Sequence, residues 1–425
     1  MPKTLTKPYD LLIKNGVLLT EHAAEPQGTD IAIRNGKVVV LAETIDAAAT
    51  QTIDATGLLI SPPFVESHIH LDSALIDAGR CLNLSGTLFE GIEIWRGLKA
   101  GLTFDNVVDR ATQALKLQAQ QGVLYVRSHA DVSEKTLTVL KALLAVRERV
   151  KDWMTVQIVA FPQDGLYRSD DGAQLKLMDT AVKLGVDCIG GIPHYELTRE
   201  DGVRSVQHVF EVARKHNRMI DVHCDEIDDP QSRFLEVMAA CAIRQGNGPL
   251  VTASHTTAFG SYENGYANKL MGFLKQAKLN IVANPLINIV LQGRTDSYPK
   301  RRGMTRVKEL NEAGVNVSLG YDCIMDPWYA LGTGNMLDAA HMAVHVAQMM
   351  GAAEIDACYN MVTWNAARTL NLGEAYGIKQ GNTANLVLLD VKNRFDAIRR
   401  RVSPRWVVSR GRVIAGGEVI SSGRG

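Results

Sequence analysis

Through its middle, the chain repeats one unit: a short apolar run followed by a long helical pattern. The runs include residues 123–126, 155–160, 186–190, 219–222, 279–282 and 315–319. The helical patterns include 107–121, 134–150 and 205–217. Short apolar runs set between helices read as parallel strands buried on both faces. Repeated over such a span, they predict an α/β fold, a (β/α)8 barrel of the TIM type. The competing architecture is a doubly wound open sheet. No G-x-G-x-x-G opens the first strand–helix unit, which argues against its dinucleotide-binding form.

The two ends read differently. Residues 11–16 and 31–40 are strand-like and carry Asn15-Gly16 and Asn35-Gly36, dipeptides that favour two-residue hairpin turns. Residues 384–390 and 406–415 repeat the style. The termini are therefore expected to share a small β-sandwich domain, residues 1–58 plus 373–425, attached to a barrel of residues 59–372.

Charge narrows the function. Among 425 residues there are 46 basic and 46 acidic side chains, a net charge of zero. A nucleic-acid polymer needs a basic field that this chain lacks, so a small neutral substrate fits better. There is no membrane-spanning apolar run and no signal-peptide pattern at the start. The six cysteines are scattered without paired spacing. The expectation is a cytoplasmic enzyme with reduced thiols and no membrane partner.

Ionisable residues fall where the expected strands end, and in a TIM barrel those ends build the active site. His68 and His70 close one run, spaced so that an extended chain points both imidazoles to one side, where they can chelate a divalent metal. His223, His255 and Asp322 close three more, and Glu226 follows in the loop beyond His223. Each has a plainer reading alone: an incidental H-x-H, a core histidine, an aspartate capping a helix. Their recurrence at the strand ends of one barrel favours a site. His341 and His345, four apart, read as one face of an ordinary helix. His22, His208 and His216 receive no role. For His129 and His194, pocket wall and core packing both stay open.

At this point the chain resembles the bacterial cytosine deaminases of the amidohydrolase superfamily. The resemblance rests on HIHLD (68–72), DVHCDEIDD (221–229) and ASHTT (253–257). GTLFEGIE (86–93), AFPQDG (160–165), ANPLIN (283–288), YPKRRG (298–303) and DPWY (326–329) support it. It runs from about residue 9 to 413. It implies a (β/α)8 barrel with a β-sandwich from both termini, a homo-oligomer, and hydrolysis of cytosine or 5-methylcytosine to uracil or thymine plus ammonia. It further implies one divalent ion, Fe2+ or Zn2+, held by His68, His70, His223 and Asp322, which would make water a nucleophile near neutral pH. No lysine lies near residues 190–193, against a carbamate-bridged two-metal site.

The implied roles follow the reaction's needs. Glu226 would take the water proton and deliver it to the ring nitrogen, His255 would orient the nucleophile, and Asp322 would relay a proton to the leaving ammonia. Gln163, whose amide both donates and accepts, would read the carbonyl and ring N–H of a pyrimidine, with Cys323 and Trp328 beside the base. Another small cyclic amidine (an N-alkyl triazine, creatinine or isoguanine) is the alternative substrate on this scaffold. A non-catalytic barrel would be expected to lose metal ligands, and all four candidates are present.

Two positions depart from that family. Its members typically carry a second aspartate after the metal-binding one; here stands Cys323, and before the metal-binding Asp322 stands Tyr321 where a histidine is expected. Cys323 reads either as a small filler or as a changed pocket. A carboxylate beside an apolar substituent would lose solvation, at a cost of about a kcal/mol or more. A thiol removes that objection, so acceptance of 5-methylcytosine is expected, with preference over cytosine as the stronger form. A nucleophilic Cys323 is disfavoured because activated water already fills that role.

Overall fold

The computed structural model describes residues 8–21, 27–77, 79–169, 172–416 and 420–421. The chain opens with β1 (Tyr9–Leu18), β2 (Gln27–Arg34), β3 (Lys37–Ala42), β4 (Ala49–Asp54) and β5 (Leu59–Ser61). Next come β6 (Phe64–Ile69), β7 (Val123–Asp131), β8 (Thr155–Phe161) and β9 (Cys188–Ile189). These are followed by β10 (Met219–Cys224), β11 (Val251–His255), β12 (Asn280–Ala283) and β13 (Asn316–Leu319). The chain ends with β14 (Leu386–Leu389), β15 (Trp406–Ser409), β16 (Arg412–Gly416) and β17 (Ile420–Ser421). Strands β6 to β13 form one parallel sheet in sequential order, with helices between them: the TIM-type barrel. The remaining strands form a second, mostly antiparallel sheet from both termini, which forks at β1. Residues Tyr9 to Lys14 pair with β4, while Val17 and Leu18 pair with β5.

Local chemistry explains where elements stop. Thr87, Thr103 and Thr198 cap helices Leu88–Lys99 (α1), Phe104–Gln120 and Arg199–His216 with their hydroxyls. The helix expected from residue 205 therefore begins at Arg199. The one expected from 134 begins at Thr138, because Leu137 is left-handed and Glu134 is spent on the preceding turn. Asn35-Gly36 makes the expected hairpin, with φ of 52° and 73°. Asn15-Gly16 does not. Strand β1 runs through it with a bulge, since the Asn15 amide donates to Asp30 (2.8 Å) and Gly16 leaves room for Ile60 of β5. His22 lies outside the described residues.

The barrel closes between β13 and β6 in two storeys. Toward the N-terminal end, residues 361 and 362 bridge the gap, accepting from Leu319 N–H and Val65 N–H (both 3.0 Å). At the other end the strands meet directly. His70 N–H donates to Asp322 O and Asp322 N–H to His68 O, each 2.9 Å. The buried Glu66 carboxylate spans the same seam, accepting from the amides of Tyr321 (2.9 Å) and His68 (3.1 Å) and from Gln118 (3.0 Å).

The barrel interior is not wholly apolar. Fully buried Arg127 on β7 donates to Asp221 (3.0 Å), Thr252 (3.2 Å), Gln157 (3.0 Å) and the Thr369 carbonyl (2.9 Å). Removing one partner of such a pair leaves a buried charge uncompensated. Arg127→Met is expected to lower the unfolding free energy by about 3–5 kcal/mol. Urea denaturation checks this, and a loss below about 1 kcal/mol would show that Asp221 finds other compensation.

Candidate active site

Each candidate residue sits at the C-terminal mouth because its strand ends there. His68 lies near the end of β6 and His70 just past it; His223 is in β10, and His255 closes β11. Two of these ends bend sharply. His255 (φ 69°) and Asp322 (φ 71°) adopt the left-handed conformation, uncommon for residues with a side chain. It costs on the order of 1–2 kcal/mol each and turns the strand ends at the site. Asp225 (φ 53°) fixes the loop that carries Glu226. Its buried carboxylate accepts from Ser232, from the amides of Phe234 and Leu235, and from Tyr262.

The nitrogens converge. His70 Nε2 lies 3.0 Å from His223 Nε2 and 3.6 Å from Asp322 Oδ1, and His68 Nε2 lies 3.4 Å from the same oxygen. Burial above all pulls His70 down to about 4 and His129, His223 and His255 well below the usual histidine range, so these rings are neutral with free lone pairs. Burial pushes the Asp322 carboxyl up, but the surrounding His255, His68 and His70 outweigh it and hold the group below its ordinary value. Both ring nitrogens of His68 and Nδ1 of His223 are buried without a protein partner. Such atoms are expensive unless something binds them. Two trios have ligand atoms within 4.8 Å of one another: His68, His255 and Asp322, and His68, His129 and His223. Neutral imidazoles with one carboxylate fit a divalent transition metal.

Beside this cluster is a small pocket at the barrel mouth. His70, His223, Glu226, His255 and Asp322 form its polar side, joined by Gln163, Cys323 and Trp328; Leu88, Ile192, Ile287 and Leu291 supply apolar wall. His68 stands behind His70. Burial, then the charge of Asp322, raises Glu226 well above the usual carboxylate range. Burial likewise raises the Cys323 thiol, which stays protonated and is a poor nucleophile. Trp328 is fixed by its indole N–H to the Leu88 carbonyl (3.2 Å) and by Gly91 of α1, where a Cβ would come within 2.3 Å of the indole.

For several other residues, sequence alone assigned no definite role. Asn284 and Asn288 place their amides 3.1 Å from His255 Nδ1, the same distance as Glu226 Oε1. Their four-residue spacing after a strand end was the available signal. His129 stacks 4.0 Å from His68, with Nε2 3.7 Å from Asp221, beneath the cluster and away from the cavity lining. His194, in the turn Pro193–Tyr195, is half-buried, its ring nitrogens covered and without a hydrogen-bond partner. His341 and His345 share one face of helix Met336–Val346, their rings 4.5 Å apart.

Known proteins resemble the chain over nearly its whole length. The crystal structure of 5-methylcytosine deaminase from Klebsiella pneumoniae with 5-fluorocytosine superposes with a TM-score of 0.91 at 44% identity, covering 96% of this chain and 98% of that one. The N-isopropylammelide isopropyl amidohydrolase of Pseudomonas sp. (strain ADP) is 27% identical over 98% of this chain and its own full length. The pterin deaminase of Rhizobium rhizogenes (strain K84 / ATCC BAA-868) is 27% identical over 91% of this chain and 87% of its own. The model of the amidohydrolase family matches residues 51–415, and with the cluster of histidines and aspartate at the barrel mouth it follows that the chain belongs to the amidohydrolase family.

Proposed function

We propose that this protein hydrolytically deaminates a free pyrimidine base and accepts 5-methylcytosine in preference to cytosine. The observation that carries the reading is the lining of one cavity: the Gln163 amide, the Glu226–His255–Asp322 group, and a neutral Cys323 thiol with Trp328 where the wall turns apolar. The 44% identical neighbour, a 5-methylcytosine deaminase, supports it.

The residues divide the work. Gln163 holds the base by pairing with its carbonyl and ring N–H, a buried contact that excludes bases lacking that edge. His68, His70, His223 and Asp322 would hold a divalent ion, Fe2+ or Zn2+ by donor type, whose Lewis acidity makes water a nucleophile near neutral pH. Glu226, with its raised affinity for protons, takes one from the attacking water and gives it to the ring nitrogen beside the attacked carbon. His255, 3.1 Å from Glu226, keeps the water oriented, and the ionised Asp322 takes the second proton of the added oxygen and passes it to the departing ammonia.

Three measurements check this. The first is ammonia release from cytosine and 5-methylcytosine side by side, with iron- and zinc-loaded protein. A higher kcat/KM for the methylated base is expected, and Cys323→Asp should return the preference to cytosine. Clear preference of the unaltered protein for cytosine would reduce Cys323 to packing, and no turnover of either base would favour triazine or pterin substrates. Second, Glu226→Gln should lower kcat by roughly 10²–10⁴ with bound metal unchanged; a smaller loss removes it as the proton carrier. Third, chelation should lower the melting temperature and Zn2+ or Fe2+ restore it. Free ion at a thousandfold over Kd contributes about 4 kcal/mol. His68→Ala should abolish the shift, and a shift that survives would place the ion elsewhere.

A further inference from the structure

A second polar network joins helix α1 to two of the strand ends, and the reaction does not use it. Lys99, the last residue of α1, places Nζ 2.9 Å from Asp131 Oδ2 and 2.9 Å from Asp164 Oδ2, with only 8% of its side chain exposed. Asp131 ends β7, and Asp164 follows Gln163 in the turn after β8. Each carboxylate has further ties. Asp131 accepts from the Trp95 indole of α1 (2.8 Å) and from the Ser133 amide (2.8 Å). Asp164 accepts from Arg96 of α1 (3.1 Å), and its own amide donates to the Ser133 hydroxyl (2.9 Å). Lys99, Asp131, Ser133 and Asp164 thus form a closed ring of contacts that includes the residue beside Gln163.

We propose that Lys99 is a positioning residue for base binding: by clasping Asp164 to α1, it sets where the Gln163 amide stands relative to the wall formed by Leu88 and Trp328. The turn is tight, with Gln163 N–H donating to the Phe161 carbonyl (3.1 Å) and Gly165 N–H to that of Pro162 (2.9 Å). Gln163 therefore cannot shift without Asp164. On the other side of the clasp, α1 supplies Leu88 to the cavity and holds Trp328 in place. An exposed ion pair would be a loose tie. This ammonium is covered, and parting from it would leave the buried Asp131 short of its counter-charge. Hydrogen bonds weaken steeply outside a narrow range of distance and angle, so a displaced Gln163 would hold the ring edge poorly. Lys99 itself does not line the cavity, so its loss spares the proton transfers at Glu226. This inference rests on the pyrimidine-deaminase reading above.

Lys99→Met keeps a long stem and removes the charge. KM for cytosine and 5-methylcytosine should rise together by about tenfold, the effect of about one net hydrogen bond, with kcat within about twofold. The two bases should lose equally because Gln163 reads an edge they share. Asp164→Ala, at a side chain 31% exposed and so tolerant of change, should raise KM in the same way. Combined with Lys99→Met it should add nothing, since both remove one contact. Unchanged KM, losses that add, or a kcat that falls in place of the KM effect would overturn the proposal.

A substrate-free readout accompanies it: hydrogen–deuterium exchange of the metal-loaded protein. In both variants, exchange should quicken in peptides covering α1 and the turn after β8, while β6 and β13 exchange as before. Unchanged exchange at α1 and the turn would overturn the proposal. Quickening spread over the whole chain would do so too, since Lys99 would then serve the fold alone. If Lys99→Met failed to fold, Asp164→Ala would decide by the same two measurements. Absence of turnover on either base by the unaltered protein would count against the pyrimidine reading, while exchange would still decide the clasp.

Discussion

The exchange of backbone hydrogen bonds between Asp322 and the His68–His70 segment closes the barrel and assembles the candidate centre in one act. Eight parallel strands can curl without closing; here the last direct contact between β13 and β6 is made by residues whose side chains enter the site. Glu66 reinforces it from beneath, its carboxylate reaching amides on both sides of the seam. Anything that opens the seam separates His68 and His70 from Asp322. Stability and site geometry are therefore the same quantity at this point of the fold, and the left-handed backbone at Asp322 is tolerable because bonds on both sides over-determine it.

Electrostatics extends the logic inward. A barrel filled only with branched apolar residues would leave a layer of imidazoles resting on hydrocarbon. In its place the floor carries the Arg127–Asp221 pair, with Ser254 and Thr252 completing its bonds and His129 between it and the histidines above. Burial keeps the rings neutral, and so competent to bind a cation through their lone pairs. The carboxylate at Asp322 supplies the opposite requirement, a charge held below its ordinary pKa by those same rings. Buried imidazoles around one carboxylate make a poor resting state alone, and the unpartnered nitrogens record that deficit.

Much of this was legible in sequence because barrels separate their signals. Strand interiors announce themselves as apolar runs and strand ends as polar interruptions, so His68, His70, His223, His255 and Asp322 stood out by position. What stayed hidden depends on contacts far apart in the chain. Nothing in the string around Asn15-Gly16 says that Asp30 will take the Asn15 amide and turn an apparent hairpin into a bulge. Nothing local pairs Arg127 with Asp221, 94 residues away. The string 283–288 supports the resemblance without saying that the Asn284 and Asn288 amides both reach His255.

The division between seam and loops also explains how one scaffold serves relatives with differently named activities at 27% identity. The residues that would hold the ion belong to the barrel and cannot move without reopening it. Gln163 stands just beyond β8, Trp328 hangs from a loop and α1, and Cys323 is one residue past the seam. Changes at these positions reach the cavity while leaving every backbone bond of the closure intact. Position 323 is the extreme case: its backbone is fixed by the neighbouring Asp322, which is bonded across the seam, so only its side chain is free to vary. That side chain lines the cavity. A site built this way can exchange one substrate for another by altering a single wall, because the geometry that does the chemistry is secured elsewhere.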